Sequence, residues 1–398
     1  MIVTIFIPEP SLSGGGIRRS GHTGAAYHTA RQGQCARAHG PSDRLDLKGR
    51  PNRVRFLTNP RRVRSMHFEK PDEADIDPEV LSVLKNAKIA IVVPAYNEEV
   101  NLALVIDTIP DYCDRIIVVD DLSTDTTTEV AKNRAAADDR VVLIRHTENQ
   151  GVGGAIASGY EWARDNGMDC AVVMAGDGQM DPAELPSLLV PCLVDGVNYV
   201  KGNRLIYQQS RHIIPTYRFF GNSVLSLLTK IASGYWHVSD SQCGYTVVDR
   251  KVLERVPWDE MYRRYGQPND LLVTLNIQNF SVRDVPVRPV YGVGEISGLK
   301  IKKVVGPIST LLLKRWIERV FLKYVVYDFH PLVFFLLFAI LCFFISVVFF
   351  INAVIEWFAV GTAPLLSTLA FLFTGMFSFN SMFFSLWMDM EANRPLRR

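Results

Sequence analysis

The sequence lacks the features of zinc-finger, disulfide-rich and nucleic-acid-binding proteins. Its cysteines are Cys35, Cys113, Cys170, Cys192, Cys243 and Cys342. None of them forms a Cys-x-x-Cys pair, which argues against a zinc site or a disulfide framework and indicates a reducing compartment. The 43 Lys and Arg residues nearly balance the 41 Asp and Glu residues, so the net charge is +2. We therefore expect no nucleic-acid partner.

Residues 1–65 have little acidic charge and no lasting hydrophobic periodicity. They contain twelve Lys and Arg against three Asp and Glu, together with many Gly, Pro, Ser and His residues. This composition predicts a disordered basic extension. The apolar opening MIVTIFIP is short and follows no basic residue, unlike a signal peptide. We favour a start at Met66, with 1–65 not native, over a basic arm that binds anionic lipid.

Charged residues are also missing from two long stretches near the C-terminus. Residues 331–355 and 357–388 contain no Asp, Glu, Lys or Arg, and only Glu356 separates them. Because about 20 apolar residues cross a bilayer core, the sequence predicts a two-span transmembrane hairpin over 331–388 rather than a buried core helix. Lys and Arg precede the first span and follow the second, in a basic tail over 389–398. This pattern predicts that the main domain and both termini are cytoplasmic.

The segment before the first span, residues 301–330, carries apolar residues at helical spacing with Lys and Arg between them. This pattern predicts juxtamembrane amphipathic helices that lie on the membrane surface. An ordinary surface helix packed on the main domain is the alternative, and the two interpretations are compatible.

Residues 66–300 are predicted to form the main domain, which alternates between short apolar strands and helices. The strands are IAIVVP, RIIVVDD, RVVLIRH, CAVVMAG and NYVKGNR, and the first helix is expected over EEVNLALVIDTI. Such alternation predicts an α/β fold with a Rossmann-like, mostly parallel sheet covered on both faces. Ligands bind such sheets beyond the carboxyl ends of the strands. Residues 94–98, 120–125, 146–154, 177–181 and Arg204 should therefore meet there.

Two short motifs within this domain each have two interpretations. GVGGAIASG resembles a dinucleotide-binding turn, but it follows the third strand rather than the first. We expect its small residues to allow close approach of a substrate or close packing of a helix. AGDGQMDP, residues 175–182, follows the fourth strand and offers Asp177, yet Ala175 stands where a second carboxylate would flank a metal turn. It is either a metal site with one carboxylate or a surface turn.

Six motifs follow one another in a characteristic order: VVPAYNEE, VVDDLSTDTT, NQGVGGAIASG, GDGQMDP, GNR and DSQCGY. From about Lys88 onward the chain thereby resembles family 2 glycosyltransferases of the GT-A fold, and especially the polyprenyl-phosphate sugar synthases such as dolichyl-phosphate mannose synthase. The resemblance implies an inverting enzyme that takes a sugar from a GDP-mannose or UDP-glucose type of donor. The implied acceptor is a polyprenyl phosphate at the cytoplasmic face of the membrane.

The resemblance also implies roles for individual residues. Nucleotide-sugar binding falls on Pro94, Tyr96, Glu98, Asp120, Asp121 and Lys300. Acceptor-phosphate binding falls on Arg204, Arg218 and Asn222. The catalytic set is Asp177, Asp240 and Arg204, and Mg²⁺ or Mn²⁺ falls on Asp177 and Gln179, with Ala175 replacing the family's first Asp. In the family an arginine precedes the lysine that corresponds to Lys300, and no such arginine is evident here.

This chemistry accommodates the missing carboxylate. One Asp, Gln179 and two phosphate oxygens suffice for Mg²⁺ or Mn²⁺, so we interpret AGDGQMDP as a metal turn. A phosphate nucleophile is largely ionised at pH 7, so it needs positioning by Arg204 and Arg218 more than a strong base. Asp240 is expected to orient a partner, contact the sugar or act as a base.

Two alternatives remain open. Processive polysaccharide synthases carry a Gln-x-x-Arg-Trp signature, whereas Leu312 precedes Arg315 and Trp316 here. A non-catalytic relative that binds nucleotide or lipid is motivated by Ala175.

Overall fold

The apolar runs of the main domain form a sheet of seven strands in the part of the chain that the structure describes. This structure, a computed structural model, describes residues 68–207, 216–290 and 301–398, with the backbone alone for 216–220, 222 and 301–305. The strands are β1 (Ile89–Ala95), β2 (Arg115–Asp120), β3 (Val141–Arg145), β4 (Cys170–Val173), β5 (Tyr199–Asn203), β6 (Thr246–Asp249) and β7 (Val282–Pro286). The predicted extension over 1–65 lies outside the described residues, as does Lys300.

The strand order is β3-β2-β1-β4-β6-β5-β7. All neighbouring pairs are parallel except the two that involve β6, which is antiparallel to β4 and to β5. The prediction of a mostly parallel sheet is therefore confirmed, and the five predicted strands are all present. Two strands were not predicted: β6, which lies between β4 and β5, and β7, which forms the edge of the sheet beside β5.

Helices cover both faces of the sheet and continue toward the C-terminus. They are α1 (Pro78–Asn86), α2 (Leu102–Thr108), α3 (Thr127–Ala137), α4 (Val152–Asp165), α5 (Leu185–Leu193), α6 (Thr216–Ser233), α7 (Arg250–Arg255), α8 (Gln267–Ile277), α9 (Ile301–Phe321), α10 (Leu332–Val360) and α11 (Leu365–Ala392). Every residue of β1 is buried, because one face meets α1, α2 and α5 while the other meets α4, α7 and α8. This two-sided burial explains why the strand is apolar throughout.

The first helix after β1 is shorter than predicted. It begins at Leu102 instead of near Glu98, because polar contacts hold the preceding residues in a turn. The backbone N–H of Glu98 donates to Thr127 Oγ1 over 2.8 Å, and the carboxylate of Glu99 accepts from Thr126 Oγ1 over 2.6 Å. The turn thus connects the end of β1 to the start of α3.

The glycine-rich stretch at the start of α4 serves helix packing. A Cβ atom on Gly153 would lie 2.5 Å from the carbonyl oxygen of Tyr262, and one on Gly159 would lie 2.2 Å from Val92 Cγ1 on β1. Any larger side chain would push the helix off the sheet. Of the two roles predicted for these small residues, the structure displays close packing.

The two C-terminal helices α10 and α11 are long and apolar enough to cross a membrane. They pack against each other through small polar contacts: Ser346 Oγ donates to the Phe371 carbonyl over 3.1 Å, and Ser378 Oγ donates to the Ala339 carbonyl over 2.8 Å. Large apolar side chains face outward, with Phe358 87% exposed. An apolar surface of this extent indicates membrane association.

Helix α9 and the π-helix after it (Leu322–Tyr327) pack against α6 and α8 with an unusual polarity. Ile308 and Leu312 are buried, as expected for a packed face. Further along the chain, charged residues face inward while apolar ones face outward. The outward residues are Leu313, Ile317 and Phe321, each more than half exposed.

A buried ion pair connects α9 to the end of α11. Arg319 is 1% exposed, and its Nη1 lies 2.7 Å from Asp389 Oδ1 while its Nε donates to the Ala232 carbonyl over 2.8 Å. Tyr324 Oη donates to the same carboxylate over 2.6 Å. Nearby, Lys323 Nζ donates to Asn393 Oδ1 over 2.8 Å. These contacts fix the α10–α11 hairpin to the main domain.

The residues after α11 fold back onto the sheet. Leu396 packs against the core on the face of the sheet that α4, α7 and α8 cover, and Arg397 forms a parallel bridge with Val282 of β7. Arg283 Nε donates to the carbonyl oxygen of Arg398 over 2.7 Å. The segment predicted as a basic tail therefore covers the exposed edge of β7.

Candidate active site

The turns after β1 and β2 are joined at the carboxyl edge of the sheet. Asn97 adopts a left-handed conformation, with φ of 57°. Its backbone N–H donates to Ser123 Oγ over 3.0 Å, and its side-chain oxygen accepts from the backbone N–H of Thr124 over 2.9 Å. The sequence prediction that these strand ends meet is confirmed for this pair.

Asp120 is fully buried at the end of β2 and holds the turn that follows. Its carboxylate accepts from Ser123 N over 2.9 Å and from Thr128 Oγ1 over 2.5 Å. Because protein donors engage both oxygens, Asp120 shapes the wall of this edge. Direct contact with a nucleotide stays a prediction for Asp120.

Asp121 organises the loop between β3 and α4. Its carboxylate accepts from the backbone N–H of Gly151 over 2.7 Å and of Gln150 over 2.8 Å, and lies 2.7 Å from His146 Nδ1. His146 Nε2 lies 2.9 Å from Ser158 Oγ on α4. Asp121 thus connects the β2, β3 and α4 segments, and its contact with a nucleotide stays a prediction.

The turn after β1 also brings a carboxyl group toward the turn after β4. Pro94 is buried in β1, whereas Tyr96, which follows that strand, is 48% exposed. Burial, and then the negative charge of Asp177, raise the pKa of Glu98 to about 7. The carboxyl groups of Glu98 and Asp177 therefore repel each other across the strand ends, and a cation there would relieve this repulsion.

The AGDGQMDP turn is held by its own side chains. Asp177 Oδ1 accepts from the backbone N–H of Gln179 over 3.0 Å, with Gly178 at φ of 72° between them. Asp181 caps the next turn by accepting from Ala183 N over 2.9 Å. The geometry directs Asp177 and Gln179 to the same side of the turn, into a cavity.

This cavity has a volume of about 160 Å³ and a polar lining. Its lining residues are Asp177, Gln179, Met180, Glu184, Arg204, Gln242, Cys243, Gly244, Tyr245, Val287, Arg288 and Val290. Among the described residues, no three His, Cys, Asp or Glu side chains cluster closely enough to hold a metal ion by themselves. One carboxylate and one amide oxygen fit Mg²⁺ or Mn²⁺ when phosphate oxygens complete the shell.

Arg204 and Asp240 form a two-pronged ion pair beside the cavity. Arg204 Nε lies 2.8 Å from Asp240 Oδ2, and Nη2 lies 2.9 Å from Oδ1. Asp240 is fully buried and adopts φ of 50°, whereas the Arg204 side chain is 22% exposed. Burial would raise the pKa of Asp240, but the charge of Arg204 prevails and holds it below its usual range. Asp240 therefore orients Arg204 as a carboxylate.

Residues 90–256 match the Glycosyl transferase family 2 model. The chain is 30% identical over 216 residues to UDP-N-acetylglucosamine–dolichyl-phosphate N-acetylglucosaminyltransferase of Methanococcus voltae, covering 51% of this chain and 86% of that protein. The chain belongs to glycosyl transferase family 2. This family 2 enzyme therefore has a GT-A catalytic domain, with two candidate membrane helices after it.

Other proteins resemble this family 2 enzyme. Polyprenol monophosphomannose synthase of Mycolicibacterium smegmatis is 28% identical, over 64% of this chain and 97% of that protein. The structure of glucosyl-3-phosphoglycerate synthase of Mycobacterium tuberculosis, in complex with Mn²⁺, UDP and glucosyl-3-phosphoglycerate, aligns with a TM-score of 0.46 and 20% identity. The alignment covers 61% of this chain and 82% of the chain of that synthase.

Two charged residues that line the cavity of this family 2 enzyme, Glu184 and Arg288, were not predicted from the sequence. Arg288 follows β7 and its backbone N–H donates to Glu184 Oε1 over 2.8 Å. Burial raises the pKa of Glu184 to about 8. Arg288 stands at the carboxyl end of a strand parallel to β5, so the strand-end rule would have found it had β7 been predicted.

Three predicted site residues lie outside what the structure describes in full. Lys300 belongs to the range 291–300, which is not described. Arg218 and Asn222 lie on α6, for which their backbone alone is given. Their roles at a nucleotide sugar or at an acceptor phosphate stay predictions.

Proposed function

We propose that this family 2 enzyme transfers a sugar from a nucleotide diphospho-sugar to a polyprenyl phosphate at the cytoplasmic face of a membrane, with inversion at the anomeric carbon. The donor is of the GDP-mannose or UDP-glucose type. The observation that carries the proposal is the cavity at the carboxyl edge of the sheet, which Asp177, Gln179 and Arg204 line together. Metal-ligating oxygens and a guanidinium there suit a diphosphate.

The donor would bind along the strand ends. Tyr96 and the loops held by Asp120 and Asp121 border the place for the nucleoside, and the cavity takes the diphosphate. Asp177 and Gln179 would hold Mg²⁺ or Mn²⁺, which supplies positive charge to the diphosphate when bound. Ala175 leaves this site with fewer protein carboxylates, so the donor phosphates must contribute ligands.

The reaction is a single displacement. An oxygen of the lipid phosphate attacks the anomeric carbon and forms a C–O bond, while the bond from that carbon to the diphosphate oxygen breaks. The departing nucleoside diphosphate gains negative charge, which the guanidinium of Arg204 stabilises. Because the attacking phosphate is largely ionised near pH 7, no strong general base is required. Asp240 orients Arg204 within this scheme.

The acceptor's lipid chain suits the membrane side of the molecule. Leu313, Ile317 and Phe321 form an exposed apolar face on α9, next to the candidate spans α10 and α11. Such a face fits the lipid–water interface. The relatives named for dolichyl phosphate and for a polyprenol act on lipids of this kind. The Lys and Arg residues that flank the spans favour a cytoplasmic catalytic domain.

A direct assay tests this function. Detergent-solubilised protein is mixed with a short polyprenyl phosphate and Mn²⁺ or Mg²⁺. Radiolabelled GDP-mannose, UDP-glucose and UDP-N-acetylglucosamine are then offered one at a time, with and without EDTA. We expect one donor to label the lipid phase and EDTA to abolish the label. Absence of lipid label with every donor, from protein that binds nucleotide, would contradict the proposal.

A further inference from the structure

A lysine is fully buried in the sheet beneath the cavity. Lys201 lies on β5, between β6 and β7, and is 0% exposed. Its Nζ donates to the carbonyl oxygens of Gly202 over 3.3 Å, of Ser239 over 3.4 Å and of Asp240. An ammonium group has three donors, and backbone carbonyls account for all three. Such a costly burial calls for an explanation.

The carbonyls that Lys201 binds belong to the turn that presents Asp240. Asp240 has a left-handed backbone, which is unfavourable for a residue other than glycine, so other contacts must maintain it. Its carbonyl oxygen also accepts from Cys243 N over 3.0 Å. Lys201 and Cys243 therefore fix the backbone from which the Asp240 carboxylate reaches Arg204.

Asp284 supports the same turn from β7, where it is paired with Lys201 in register. Its carboxylate accepts from Ser239 N over 2.7 Å and from Asn203 Nδ2 over 2.6 Å. Burial raises the pKa of Asp284 to about 6, and the charge of Lys201 opposes that rise. The strand end before Arg204 and the turn that carries Asp240 are thus fixed to one buried cluster.

We propose that Lys201 is a positioning residue for sugar transfer: it holds the Ser239–Asp240 backbone so that Asp240 directs the Arg204 guanidinium toward the cavity. The inference rests on the proposed role of Arg204 at the diphosphate. An apolar residue at this position would be cheaper to bury, but it would remove the ammonium donor from all three carbonyls and leave the Asp240 carbonyl with Cys243 N. The turn would then relax and Arg204 would lose its fixed direction.

A double-mutant cycle tests this role. The full-length protein in detergent is compared with Lys201→Met, Arg204→Ala and the double variant. The readouts are the affinity for UDP and for GDP with Mn²⁺, and kcat for the lipid acceptor. We expect Lys201→Met alone to lower affinity and kcat on the order of 10-fold to 100-fold, because Arg204 is misplaced. In the Arg204→Ala background, it should cost less than about twofold.

Lys323→Met provides the matched control, because it removes a second buried lysine that lies outside the cavity lining. Any changes in nucleotide affinity and kcat caused by Lys323→Met should add to those caused by Lys201→Met, with no coupling between the two substitutions. Equal losses from Lys201→Met in both Arg204 backgrounds, or no loss at all, would overturn the proposal. If Lys201→Met does not fold, Lys201→Gln, which keeps a donor, enters the same cycle. Wild-type protein that binds nucleotide but labels no lipid would refute the proposed function, while the affinity cycle would still decide the role of Lys201.

Discussion

Two arginine–aspartate pairs of this chain share the same chemistry but differ in their surroundings. Asp240 holds Arg204 through two prongs, and the guanidinium is 22% exposed toward a cavity. Asp389 holds Arg319 in the same manner, but that guanidinium is 1% exposed, and two backbone carbonyls also accept its N–H groups. The first pair faces a space for ligand, and the second is enclosed by protein.

This difference separates the arginine that we assign to the donor diphosphate from an arginine that joins structural elements. A guanidinium that borders a cavity can meet a phosphate without losing its aspartate partner. A guanidinium surrounded by carbonyls and a carboxylate can only maintain the contact between elements, here α9, the end of α6 and the end of α11. The same type of ion pair therefore positions a charge beside the cavity in one region, and joins the α10–α11 hairpin to the main domain in the other.

Breaking the enclosed pair should have the largest effect on stability. Arg319→Met leaves Asp389 buried without its counter-charge, so we expect the free energy of unfolding to fall by about 3–5 kcal/mol. Affinity for nucleoside diphosphate should be unchanged in the folded fraction. Chemical denaturation in detergent measures the loss, and Arg394→Met, which breaks an exposed pair with Glu391, is the control. Equal stability of the two variants would contradict the structural role of the Arg319–Asp389 pair.

A substitution in the cavity beside the Arg204–Asp240 pair should lower turnover without affecting folding. Asp177→Asn removes the one carboxylate that we assign to the metal, so we expect kcat to fall about 100-fold to 1,000-fold. The melting temperature should stay near that of the wild type. Asp181→Asn is the matched control, since Asp181 caps Ala183 in the same turn and does not line the cavity. A fully active Asp177→Asn variant would remove the metal site from the mechanism.

A smaller change tests how completely the enclosed pair is satisfied. Trp236 Nε1 donates to Asp389 Oδ2 over 3.2 Å. Trp236→Phe removes this donor but leaves Arg319 and Tyr324 in place, so we expect a loss of about 1 kcal/mol in unfolding free energy. Thermal denaturation compares it with the wild type. A loss as large as that of Arg319→Met would mean that the network fails when any one member is removed.

The sequence predicted the parallel half of the sheet because its strands are continuous apolar runs that signal burial on both faces. It predicted that Asp177 and Arg204 lie at the carboxyl edge of the sheet, because each follows such a strand; their roles at a metal and at phosphates are implied by the family resemblance and stay predictions. It did not predict β7, because VRDVP mixes charged and apolar residues, and Arg288 was missed with it.

Long-range partners were also beyond a local reading. Arg319 and Lys323 read as the polar side of an amphipathic helix, but their partners Asp389 and Asn393 come 70 positions later. Nothing within NYVKGNR indicates that Lys201 is buried, and only the register with Asp284 and the turn at Asp240 explains its burial. Local hydrophobic periodicity indicates which side of a helix or strand is apolar, but it does not indicate which charged residues meet across the fold.

The smallest effect concerns Lys323, beside the enclosed pair. Burial, and then the positive charge of Arg319, lower its pKa from 10.5 to about 7. Above pH 7 the folded chain has lost a proton that the unfolded chain still holds, so stability must rise with pH there. From about pH 6.5 to 7.5 we expect the wild type to gain about 0.7 kcal/mol relative to Lys323→Met, which has no proton to lose. Melting temperatures across this range measure the gain. A constant difference would mean that Lys323 keeps its charge, and that the enclosed network tolerates an additional cation.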